Sequence, residues 1–92
     1  MKKIFLTISL LNSLYGTTQD GINFFEKGDY KKAIIVFEQL SIQEDALSQA
    51  YLGLIYRHGL GVEQDFKKSL DYYRKSCSNG FSFGCDWYKR LK

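Results

Sequence analysis

One stretch of this chain is written twice. Asp29 to Phe37 (DYKKAIIVF) and Asp65 to Tyr73 (DFKKSLDYY) carry Asp, an aromatic, Lys-Lys, a small residue and an aliphatic in register, 36 positions apart. A period of this length belongs to arrays of helical hairpins, in which each unit buries its apolar face against its neighbours. The physical roles recur with the letters. Asp29 and Asp65 each stand immediately before an apolar-periodic run, where an N-cap carboxylate satisfies orphan backbone donors. Tyr30, Ala33, Ile34 and Phe37 then lie on one helical face, and Phe66, Leu70, Tyr73 and Cys77 lie on another.

Between the two copies, Glu44 to His58 (EDALSQAYLGLIYRH) reads as the intervening helix, and Ser41 with Glu44 has the spacing of a capping box at its start. Ala46, Ala50 and Gly53 form a small-residue stripe that lets a neighbouring helix approach, with Leu47, Tyr51, Leu54 and Ile55 supplying bulk beside it. Gly59-Leu60-Gly61-Val62 ends that helix, because glycine takes the left-handed conformations a C-cap and a tight turn require. A short helix from about residue 19 to 27 is expected to pair with the first run, and one from about 83 to 91 to close the array. With no proline to interrupt them, the fold expected is all-α: a short α-solenoid of about two hairpins plus a C-terminal capping helix.

The first residues read as a targeting signal. Met1-Lys2-Lys3 is basic, and the run from Ile4 to Leu14 is apolar, within the ~7–15 residues of a secretory core and short of the ~20 that span a membrane. Gly16 suits the last position before cleavage, which places a signal peptide at 1–16 and the repeat domain at 17–92; a buried N-terminal helix is the structural alternative. The domain divides into a first repeat at about 20–45, a second at about 46–79 and the terminal helix at about 83–92. Removing Lys2 and Lys3 takes Lys plus Arg from 13 to 11 against 10 acids, so net charge falls from +3 to +1. The remaining basic doublets are interleaved with carboxylates, the pattern of solvated helix faces, and nucleic acid is not an expected partner.

Export bears on the cysteines. Two cysteines in a small exported chain point to a disulfide between Cys77 and Cys85, which enclose seven residues. A redox-active pair is the alternative, but the spacing is not C-x-x-C. With His58 as the sole histidine, a zinc site would need carboxylates to complete four ligands, and no metal or cofactor is expected.

The stretch from Ala50 through Gly53, Tyr56, Gly59-Leu60-Gly61-Val62 and Asp65 to Tyr72-Tyr73-Arg74-Lys75-Ser76-Cys77 resembles the Sel1-like repeat, a TPR-like helical hairpin. It departs from that pattern in the early arrival of Leu52-Gly53 and in Ser69 and Ser76 for alanines. With Cys77 and Cys85 at the junction of two helices, it is similar to the Helicobacter cysteine-rich protein family, exported proteins with one such pair per repeat. The earlier unit has Ser41 and Ala50 where that family would place cysteines.

The resemblance implies penicillin-binding or β-lactamase-like activity, with β-lactams or peptidoglycan as partners. The residues offer no independent catalytic motif. None of Ser41, Ser48, Ser69, Ser76, Ser78 and Ser82 is followed three positions later by lysine, and Glu38, Glu44 and Asp45 fit surface helix positions better than an active site. No β-lactam turnover is therefore expected. The function expected is binding, with the groove between successive first helices receiving a peptide, a glycan or another protein, in the periplasm or outside the cell and without a stable membrane anchor. A weak β-lactam hydrolase is the rival, and a chain acting only by association is a third reading. Tyr56, Tyr72, Phe81 and Trp87 are the aromatics whose faces periodicity leaves open, between core and ligand.

Overall fold

The computed structural model describes residues 16–92, which form five α-helices with no strand among them. They are α1 (Thr18–Glu26), α2 (Tyr30–Ile42), α3 (Ala46–His58), α4 (Phe66–Ser78) and α5 (Ser82–Leu91). The segment expected to be a signal, 1–16, lies outside the described residues except for Gly16.

Side chains start four of the helices. Asp29 and Asp65 cap α2 and α4 as their shared position in the repeat implies, accepting from the backbone N–H of Lys32 at 3.4 Å and of Lys68 at 2.9 Å. Asp45 does the same for α3, accepting from Ser48 N–H at 3.1 Å. At α1, Thr17 and Asp20 form a reciprocal capping box: the Thr17 hydroxyl accepts from Asp20 N–H, and the Asp20 carboxylate accepts from Thr17 N–H. The capping box expected from Ser41 and Glu44 is not formed. α2 runs on through Ile42, so Ser41 sits buried in its last turn, and Glu44 takes a left-handed φ of 65° beyond it. Their spacing belongs to the end of α2. Glu44 N–H donates to the Ser41 carbonyl, and Asp45 N–H donates to that of Leu40.

Each hairpin closes on a glycine that admits a ring. A Cβ on Gly53 of α3 would lie 2.8 Å from the ring of Tyr73 on α4, and one on Gly21 of α1 would lie 2.6 Å from the ring of Phe37 on α2. Beside Tyr73, the Ser69 hydroxyl donates to the Gly53 carbonyl at 2.6 Å and the Ser76 hydroxyl to the Ala46 carbonyl at 2.7 Å. The two serines that replace alanines thus keep the close approach and add a bond apiece. They also set the phase of α4. Its buried stripe is Ser69, Tyr73 and Ser76, with Leu70 and Cys77 half-buried at its edge, and Phe66, expected on the core face, is 61% exposed.

Gly59, at φ 66°, ends α3, and Gly61, at φ 71°, brings the following turn onto α2, where a Cβ would meet that of Tyr30 at 2.6 Å. The core joins Ala33, Ile34 and Phe37 of α2 to Leu52, Ile55 and Tyr56 of α3. Every helix packs on the next, and α3 also touches both α1 and α5, so the first helices of successive units lie side by side. At the far end Cys77 of α4 is bonded to Cys85 of α5, their Cα atoms 4.3 Å apart.

Candidate binding groove

The face shared by α1, α3 and α5 holds an apolar groove of about 330 Å³. Its floor is a stripe on α3, with Leu47, Ala50, Tyr51 and Leu54 at spacings of three and four residues. Phe25 of α1 forms one wall, and Phe81 and Phe83 at the start of α5 form the other. Rings fix these walls. Phe25 meets Tyr51 edge-on at 5.2 Å, Tyr51 stacks on Phe37 at 4.9 Å, and Phe81 and Phe83 lie 5.8 Å apart. Leu47 and Phe83 remain 36% and 46% exposed, so the groove presents apolar surface to solvent. Burial raises the pKa of the Tyr51 hydroxyl, and the nearby Glu26 carboxylate adds to the rise.

Beyond Phe83 the wall becomes cationic. Trp87 lies 6.1 Å from Phe83 and stacks on Tyr73 at 6.0 Å. The guanidinium of Arg57, from the last turn of α3, lies 4.2 Å from the indole centroid, and that of Arg90 lies 5.3 Å from it.

The other open aromatics are settled by the same geometry. Tyr56 is core, stacked on half-buried Tyr72 at 5.8 Å with the Lys68 ammonium 4.5 Å above it. Burial, with Glu38 a lesser cause, pushes the Tyr72 phenol up to about 12, and burial does the same for Tyr73 against the opposing pull of Arg57. The Tyr73 hydroxyl is buried and has no hydrogen-bond partner.

A second recess is polar. Glu38, Ser41, Glu44, Gln49, Tyr72 and Lys75 line it, and the Asn79 amide donates to both Glu44 and Gln49 at 2.8 Å. Asp45 belongs elsewhere, accepting from the hydroxyls of Thr18 and Ser48. No side-chain hydrogen bond joins the Ser41 hydroxyl to Glu38 or Glu44, and Ser69 and Ser76 are spent on α3 carbonyls. Among the described residues there is no group of three or more His, Cys, Asp or Glu side chains that could hold a metal ion, and no helix is long and apolar enough to cross a membrane. His58 is exposed at the end of α3, as its position beside the glycine turn implies.

With the hairpin of α3 and α4 described, its sequence has a counterpart. Residues 46–81 match the Sel1 repeat. The Sel1 match starts at the first residue of α3 and ends at Phe81, the residue before α5, so one sequence unit coincides with one structural hairpin. A 50-residue stretch of the chain is 32% identical to part of the ERAD-associated E3 ubiquitin-protein ligase component HRD3 of Candida glabrata. That stretch is 54% of this chain and 6% of the curated relative, so the chain spans a small part of the protein it matches. No solved structure gives a significant match.

Periodicity alone identified the α3 stripe but not its partners. It does not assign Phe25, Phe83, Arg57 and Arg90, because each gains its meaning from a neighbouring helix. The one local signal was the spacing of Phe83, Trp87 and Arg90, three and four residues apart on α5.

Proposed function

We propose that this chain is an exported protein-interaction module whose groove between α1, α3 and α5 receives a peptide segment of its partner. The observation that carries the reading is a concave apolar surface, lined by all three first helices, that leaves Leu47 and Phe83 in contact with solvent. Sel1 repeats typically mediate protein–protein interaction, which supports a protein partner over a glycan.

Two further features support export and kinship with the cysteine-rich exported repeat proteins. The Cys77–Cys85 bridge suits an oxidising compartment. Cleavage after Gly16 would leave Thr17 as the first residue, and both members of the α1 capping box, Thr17 and Asp20, would remain in the chain. Intact-mass measurement of the exported form is expected to give a chain starting at Thr17; a Met1 start there would refute processing.

The binding reading is tested by panning a displayed library of random peptides on the oxidised protein. Enriched peptides are expected to bind the parent and to lose binding to Leu47→Glu. Peptides indifferent to that substitution, or none enriched, would remove the groove as the site.

A further inference from the structure

The groove has two chemically different ends, and their arrangement specifies what a bound segment must carry. Its apolar end is held by Leu47, Phe25 and Phe83. Phe83 leads to Trp87 at 6.1 Å, and Trp87 carries two guanidinium groups, Arg57 at 4.2 Å and Arg90 at 5.3 Å. The two ion pairs found among the described residues, Lys32 with Asp29 and Arg74 with Asp71, use neither arginine. A guanidinium lying on a ring keeps its edge N–H donors free, in the fork geometry that fits a carboxylate. His58 and Lys89 stand in the same last turns. The acids nearby form no ion pair with either arginine: Asp86 is exposed on α5, and Glu63 and Asp65 are exposed in the turn after α3, where the Asp65 carboxylate is taken up in capping α4.

We propose that the apolar groove and the Arg57–Arg90 pair form one composite site for a peptide segment in which an apolar side chain is followed by a carboxylate. The proposal rests on the peptide-binding reading and narrows it. The path from the Phe83 ring over Trp87 to the guanidiniums corresponds to about three residues of extended peptide at ~3.4 Å each. An apolar patch flanked by arginines would also suit an anionic membrane, but this patch is concave, and a bilayer cannot enter a groove between helices.

The probes are three capped pentapeptides, Leu-Phe-Ser-Ser-Glu and its forms ending in Gln and in Lys, with binding read from Trp87, the sole tryptophan. The Glu peptide is expected to bind about ten-fold more tightly than the Gln peptide at low salt, with the Lys peptide weakest and the preference shrinking as salt rises. Arg57→Gln with Arg90→Gln should abolish the preference while residual binding of the Gln peptide persists. Leu47→Glu should weaken all three. Circular dichroism of each variant establishes that it is folded, and Arg90→Gln alone, at an exposed position, provides a mild second variant. Equal binding of the three peptides would overturn the carboxylate assignment and leave the peptide groove standing. An unchanged preference in the arginine variants would also overturn it. Absence of peptide binding, with or without binding to phosphatidylglycerol vesicles, would overturn the proposal; binding to the vesicles alone would identify a membrane surface instead.

Discussion

Gly53 has no side chain because the Tyr73 ring occupies the space one would need. Alanine is the better helix former by about 1 kcal/mol, yet Gly53→Ala is expected to destabilise by about 1–3 kcal/mol, since two packed helices must part to admit the methyl. Urea unfolding of the variant measures this, and a gain in stability would show that the contact is loose. Tyr73 itself supplies a second test. Its buried hydroxyl is unpartnered, so Tyr73→Phe should leave stability unchanged or raise it by about 1 kcal/mol. Its pKa, like that of Tyr72, is pushed up to about 12, whereas an unfolded tyrosine titrates near 10. Unfolded chains therefore shed these protons first. The stabilisation is complete below about pH 10 and is lost as pH climbs through about 12. Melting temperatures at pH 9 and pH 11 should differ less in Tyr72→Phe/Tyr73→Phe than in the parent. The small-residue stripe was legible in the sequence. The exposure of Phe66 was not, because the hydroxyls of Ser69 and Ser76 claim the face that hydrophobicity alone assigns to larger residues.

The helices are not equally secured. α1 to α4 each begin with a side-chain cap, whereas α5 has Phe81 at its N-cap position and no side-chain cap. Ten residues are too few for a helix to persist in water unless docked. It is docked by the Trp87 ring stacked on Tyr73, by Gly84 against Ser76, where a Cβ would lie 2.6 Å from that of the serine, and by the bridge from Cys77 to Cys85. Closing so short a loop constrains the unfolded chain by about 2–3 kcal/mol in the chain-entropy model. Cys85→Ser, or full reduction, should therefore free α5 before the rest of the domain and lower the midpoint of the whole. Trp87 fluorescence and thermal circular dichroism follow the two events; if neither moves on full reduction, the bridge is not what fixes α5. Helix starts were legible where Asp preceded an apolar run, at Asp29 and Asp65. The Ser41–Glu44 spacing misled because a four-residue motif does not say on which side of it the helix lies, and α2 had not yet ended.

At the scale of the molecule, the groove belongs to no single repeat. Its place between first helices follows from the hairpin array, but its walls come from α1 and α5, whose rotation about their own axes no local pattern fixes. Because Leu47 lies at the surface, Leu47→Glu should change unfolding free energy by no more than about 0.5 kcal/mol while removing peptide binding, a separation that chemical denaturation and titration together read. A bound segment would touch α1, α3 and α5 at once and so tie the ends of the array together. The two serine bonds between α3 and α4 have a mechanical consequence. From Ser69 to Ser76 along α4 is seven residues forward, and from Gly53 to Ala46 along α3 is seven back. Pulled apart by force at its open end, this hairpin loads the Ser76 bond first and the Ser69 bond only after the first has failed. It should lengthen under tension in two steps, like a zip with two teeth.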